Sequence, residues 1–152
     1  MQRIRPGMRV AVGAGSRGIT NLPAIVRTVV EEVRAAGADP FVFPAMGSHG
    51  GATAPGQIEM LASLGVTPES VGAEILATME VKEIGRLPDG PPLYQDANAA
   101  AADATLLVNR VKPHTDFHGQ IESGLAKMAV IGMGKDTGAQ LVHVYGARGF
   151  IR

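Results

Sequence analysis

The segment RVAVGAGSRGITNLPAIVRTVVEEVRAAGADPFVFPA, residues 9–45, constrains the fold more than any other. Arg9 to Ala14 is a short apolar run closed by Gly13 and Gly15, which reads as a buried strand. After the turn GSRGIT, residues Leu22, Ile25, Val26, Val29, Val30 and Val33 recur at helical spacing. Asn21 is the expected N-cap, Pro23 sits in the first turn where its missing N–H costs nothing, and Gly37 ends the helix. Phe41 to Ala45 is then a second strand. Together these make a βαβ unit with parallel strands and an expected right-handed crossover. Ligands bind such sheets beyond the carboxyl ends of the strands, so the loops carrying SRG and SHG lie on the side where a site would form.

The loop MGSHGGATA leads through Pro55 into an expected helix, Gln57 to Leu64, with Ile58, Leu61 and Leu64 inward. From Thr67 the pattern loosens. Ala73 to Met79 and Val81 to Arg86 are expected strands, LPDGPP is a turn, and Leu93 to Gln95 is a further strand, so this section is expected to decorate the sheet with antiparallel pairs. Ala97 to Ala104 is helical by its alanine content, and Thr105 to Val111 is a strong strand. Ser123 to Ile131 and Gly138 to Tyr145 are expected helices separated by GMGKDTG. The fold class expected is α/β, a mainly parallel sheet with flanking helices and some antiparallel decoration, in one domain of 152 residues.

Composition narrows the chemistry. Without cysteine there is no disulfide, thiolate nucleophile or Fe–S site, so any metal would be held by His, carboxylate, backbone oxygen or a cofactor. Fourteen basic residues balance fourteen acidic ones, which argues against nucleic acid or an anionic membrane as partner. No run of about eighteen apolar residues occurs, and MQRIRPGMRV lacks the apolar stretch of a signal peptide, so a cytoplasmic location is expected. The end, ARGFIR, has no stop composition, and further chain is expected after Arg152.

The functional residues gather around the stretch from Asn109 to Lys135, which packs two histidines, three lysines and four glycines between apolar segments. His49 has only Gly47, Ser48, Gly50 and Gly51 about it, so its ring is free to face a bound molecule, and an ordinary pKa of about 6.5 suits proton transfer. Its bland alternative is a loop histidine bonded to its own backbone. His114 follows Pro113 at a strand exit; His118, four residues on, would pair with it on a metal if the segment were helical, although Thr115, Asp116 and Gly119 favour a loop. His143 lies on an apolar helix, as does Lys127, which reads either as a snorkelling surface lysine or as a nucleophile or tether. Ser16 and Arg17 at a helix start suit a phosphate or carboxylate. Gly13, Gly15 and Gly18 stand where a dinucleotide fingerprint would, but the helix starts three residues beyond and no acidic residue closes the second strand, which argues against a classical NAD site.

GSRG after the first strand, GSHGG after the second, KPH at a strand end, SGLAK on the next helix and a histidine sixteen residues past that lysine together resemble the N-terminal domain of the nickel-pincer lactate racemase family, over about Arg9 to Tyr145. The resemblance implies a racemase or epimerase of a 2-hydroxy acid. Its implied cofactor is a nickel-pincer nucleotide, the nickel complex of a pyridinium-3,5-bisthiocarboxylic acid mononucleotide. Lys127 would tether it, His143 would ligate the nickel, and Ser16 and Arg17 would bind cofactor phosphate or substrate carboxylate. His49 and His114 would be the acid and base on opposite faces of the substrate carbon. A small 2-hydroxy acid is the implied partner, and a C-terminal domain that closes the cleft is expected beyond these residues. The chain departs from the pattern in two places. Ala14 and Gly15 stand where lactate racemase itself has an acidic residue and a histidine, and Lys127 lies three residues further from the KPH histidine, which leaves Lys135 as a second tether candidate. Two other classes stay open: a sensory domain that binds a ligand without chemistry, and a metallohydrolase using His114 and His118.

Overall fold

The computed structural model of the chain describes residues 4–86, 88, 90–112 and 123–145. Its first three elements are β1 (Arg9–Ala14), α1 (Leu22–Ala35) and β2 (Asp39–Pro44), the βαβ unit expected from the apolar periodicity. A fifth strand, β5 (Ala104–Val108), pairs with the other side of β1, giving a parallel sheet ordered β2-β1-β5 with Val12 opposite Val42 and Leu106. Two further strands, β3 (Val81–Arg86) and β4 (Pro92–Asp96), form a separate antiparallel pair. The fold is therefore α/β, with a parallel sheet, an antiparallel pair and flanking helices.

Alternation along β1 and β2 sorts the core into two layers, as the two-residue period of a strand requires. Val12, Ala14 and Val42 pack with Leu22, Val26 and Val30 of α1 and with Leu61 of α2 (Ala54–Ser63). Ala11, Phe41 and Phe43 face the opposite side, under Ala99 and Met128. Gly13 carries no side chain because a Cβ there would stand 2.8 Å from Leu107 and 2.9 Å from Phe43. No helix among the described residues is long and apolar enough to cross a membrane.

Several expected elements differ. Asn21 makes no side-chain cap; it adopts φ 61, a left-handed conformation that asparagine tolerates better than most residues. Helix α2 begins three residues before Gln57 and turns Gln57 and Leu61 inward, leaving Ile58 41% exposed. Residues 73–79 form no strand; Ile75 makes one isolated parallel bridge to Val42. A short helix, α3 (Pro68–Val71), with a Thr67–Ser70 capping box, precedes them. The alanine tract gives only one turn, α4 (Ala97–Ala100), because Ala104 is already paired with Val10 in the sheet. Propensity yields here to strand pairing. The segment expected as one helix from Ser123 is a short turn, α5 (Leu125–Lys127), that passes into a π-helical turn at Met128–Gly132. The last helix, α6 (Lys135–Tyr145), starts inside GMGKDTG and not after it.

Candidate active site

The three parallel strands end together, and their trailing loops converge. Ala45 N donates to Ala14 O at 2.9 Å and Gly15 N to Val108 O at 3.2 Å, so the exits of β1, β2 and β5 are laced to one another. Beyond them lies a cleft enclosing about 140 Å³ within a wider, solvent-open space of about 780 Å³. Gly15, Ser16 and Arg17 come from the first loop, Met46 and His49 from the second, and Asn109, Arg110 and Lys112 from the third. The remaining wall is Ser123 and Gly124 just before α5 (Leu125–Lys127) and Lys127 at its end, with Met128, Ile131 and Gly132 of the π turn. That turn is docked on the second loop, since Gly47 N donates to Gly132 O at 3.1 Å and a Cβ on Gly47 would sit 3.0 Å from Ile131. A π turn at this position matches the frequent use of such irregularities beside functional sites.

Four of the residues expected from sequence thus share one cleft: Ser16, Arg17, His49 and Lys127. Ser16 Oγ lies 2.7 Å from His49 Nδ1. The contact leaves Nε2 as the ring nitrogen for a ligand. Burial, then the positive charges of Arg17 and of Lys127, lower the His49 pKa below its ordinary 6.5. The ring is therefore neutral near pH 7. If its proton is on Nδ1, donated to Ser16, then Nε2 carries the lone pair and can act as a base. Arg17, Arg110, Lys112 and Lys127 make the described lining cationic, and it contains no carboxylate. Such a lining suits a carboxylate or phosphate, which guanidinium and ammonium groups bind by charge-assisted hydrogen bonds.

His143 is exposed on α6 and is not part of this lining. His114 and His118 lie outside the described residues. Among the described residues no group of three His, Asp or Glu side chains could hold a metal ion. Lys135, the second tether candidate, is buried with no exposed surface and ion-paired to Asp96 at 2.9 Å, so it has no access to the cleft, which Lys127 lines. Against the nickel-pincer nucleotide, the cleft therefore matches in part. It offers cations for phosphate and carboxylate and an amine at Lys127, while His143, the metal ligand that the resemblance implies, is not in its lining.

Sequence reasoning missed the buried set beneath the cleft: Asp96, Lys135 and Gln57. GMGKDTG gave the one signal, a lysine among glycines; those glycines are explained by packing, since a Cβ on Gly138 would stand 2.7 Å from Val130 O. Compared with known proteins, the chain matches no family model, and neither a curated protein nor a solved structure is significantly similar to it.

Proposed function

We propose that the chain carries the substrate-binding and proton-handling half of a 2-hydroxy-acid racemase or epimerase that works with a tethered nickel-pincer nucleotide. The observation that carries the reading is the joint placement of Ser16, Arg17, His49 and Lys127 in one cationic cleft, with His49 held neutral.

In this reading Arg17 binds the substrate carboxylate and fixes the orientation of C2. His49, with its Nδ1 proton donated to Ser16, takes the 2-hydroxyl proton on Nε2 while the C–O bond becomes a carbonyl. The proton returns to the same oxygen when the hydrogen is restored at C2. Return to the opposite face of the planar keto acid gives the other epimer, with His114 as the second acid and base. The acceptor for the C2 hydrogen and its electron pair would be supplied by the cofactor when bound. Lys127 is the tether, and the residues of the cationic wall face its phosphate. The proposal rests on the cleft and not on His143, which stands outside it. A cytoplasmic location and a second domain over the cleft go with this reading.

The test is the intact mass of the protein produced beside the cofactor-synthesis enzymes. A covalent adduct on Lys127, with nickel in about equal amount, is expected, and Lys127→Arg removes it. An unmodified mass overturns the cofactor assignment. The cationic lining also favours a second reading, a domain that binds an anion without chemistry. That reading gains if a 2-hydroxy acid binds but its epimers are never interconverted.

A further inference from the structure

Below the cleft lies a polar network with no route to solvent. Lys135, Gln57 and Asp96 are all fully buried, in a core otherwise made of Val, Leu, Phe and Ala side chains. The Lys135 ammonium donates to Pro44 O, at the end of β2, at 2.6 Å and to Gln57 Oε1 at 2.9 Å. Its third neighbour is Asp96 Oδ2, an ion-pair contact at 2.9 Å, while Asp96 Oδ1 accepts from Asn98 N and Ala99 N to cap α4. Gln57 Nε2 donates upward to Gly47 O at 2.7 Å and to His49 O at 3.2 Å.

The chemistry of these groups fixes the direction of the network. An ammonium has donors only, so the Gln57 amide must turn its oxygen to Lys135. Its NH2 is then obliged to face the two carbonyls of the His49 loop. Were the amide reversed, NH2 would meet ammonium and the oxygen would meet two carbonyls, three mismatched contacts in a fully buried site. Lys135 itself has φ 55, an unfavourable conformation for a lysine, and the three partners of its side chain hold it there. The loop it governs contains three glycines of positive φ, Gly47, Gly50 and Gly51, and therefore needs outside support to keep one shape.

We propose that Lys135, acting through Gln57, is a positioning residue that clamps the loop of His49 so that the imidazole meets Ser16. The inference rests on His49 being the proton-handling group of the cleft. Lys135 touches no cleft space, and its role is to choose the orientation of one amide. The same arrangement explains an expensive feature, because a charged pair with a buried glutamine is no better for stability than well-packed apolar residues of similar volume. What it supplies is a single geometry.

The test reads His49 directly by imidazole NMR titration of the full chain, with the His143 resonance as internal control. In Gln57→Leu the loop loses both clamping bonds. The His49 midpoint is then expected to move up toward its ordinary value, and Ser16→Ala, which is expected to shift the His49 titration in the unaltered protein by removing the 2.7 Å contact, should have no further effect. Gln57→Glu keeps an acceptor for Lys135 but cannot donate to the loop, and serves where Gln57→Leu does not fold. Lys135→Met with Asp96→Asn frees the amide to turn without leaving a buried carboxylate, and should shift His49 the same way. The proposal is overturned if His49 titrates in any folded member of this set as it does in the unaltered protein. Because the titration uses neither substrate nor cofactor, a failure to interconvert epimers would count against the proposed function and leave the clamp standing.

Discussion

His49 combines three influences that all oppose its protonation: partial burial, the Arg17 guanidinium and the Lys127 ammonium. Its folded pKa lies below the ordinary 6.5, so the unfolded chain takes up the proton first as pH falls. The contribution of His49 to folding stability is therefore complete above pH 6.5 and is lost as pH drops from there through the lowered folded value. The same shift extends to lower pH the range over which the ring is a neutral base. Arg17→Ala removes one of the two positive neighbours but not the burial. An NMR titration is expected to show the His49 midpoint displaced upward, with the acid limb of any pH–rate profile following it in the same direction. A midpoint unmoved by Arg17→Ala would mean that the guanidinium does not reach the ring, and that it does not share a ligand with it.

At the scale of the element, α2 and the loop before it are built around one close approach. The first turn of α2 backs onto the carbonyl of Gly50, which has φ 67, and Thr53 joins the two by accepting from Gly56 N and donating to Gly50 O, each at 3.1 Å. A Cβ on Gly56 would overlap Gly50 O. Helix propensity alone predicts that Gly56→Ala stabilises the protein by up to about 1 kcal/mol. The overlap reverses the sign, and a loss of about 1–3 kcal/mol by chemical denaturation is expected, with displacement of the His49 loop. Gly85→Ala is the control, since nothing lies within 4 Å of a Cβ there. A stabilising Gly56→Ala would mean that the loop can be moved at no cost. This element also shows where sequence reading stops. Period and apolar content located α1, β1 and β2 because those elements bury one continuous apolar face. In α2 the expected inward Leu61 is buried and Leu64 packs on the core, but Ile58 stays 41% exposed because the inward face carries an amide, Gln57, that answers carbonyls eight and ten residues back. A pattern of apolar residues cannot report a helix that is oriented by a hydrogen bond.

On the scale of the whole molecule, the cleft is legible because parallel sheets put their loops at one end. Ser16, Arg17 and His49 could be grouped from the order of strands and helices, and Lys127 joined them only through the family resemblance, whereas the Asp96–Lys135–Gln57 set joins residues from three separate regions and leaves no trace in local spacing. Charge behaves the same way. The chain has fourteen basic and fourteen acidic residues, yet the fold brings Arg17, Arg110, Lys112 and Lys127 to one mouth with no carboxylate in the described lining. A balanced total thus conceals a local positive field, which a concave wall of low dielectric strengthens. The expected consequence is selectivity for an anion and not for a hydroxyl. A 2-hydroxy carboxylate should perturb the His49 and Ser16 resonances at low salt, and its binding should weaken as salt rises, because the open mouth leaves the field screened over a Debye length of about 8–10 Å. The matching 2-hydroxy carboxamide has the same hydroxyl and nearly the same shape without the charge. It is expected to bind about tenfold or more weakly, since a hydrogen bond to a charged group contributes roughly 1.5–3 kcal/mol. Equal binding of acid and amide, or binding indifferent to salt, would show that the cations line the cleft without recognising anything in it, and would remove the ground for placing a substrate carboxylate on Arg17.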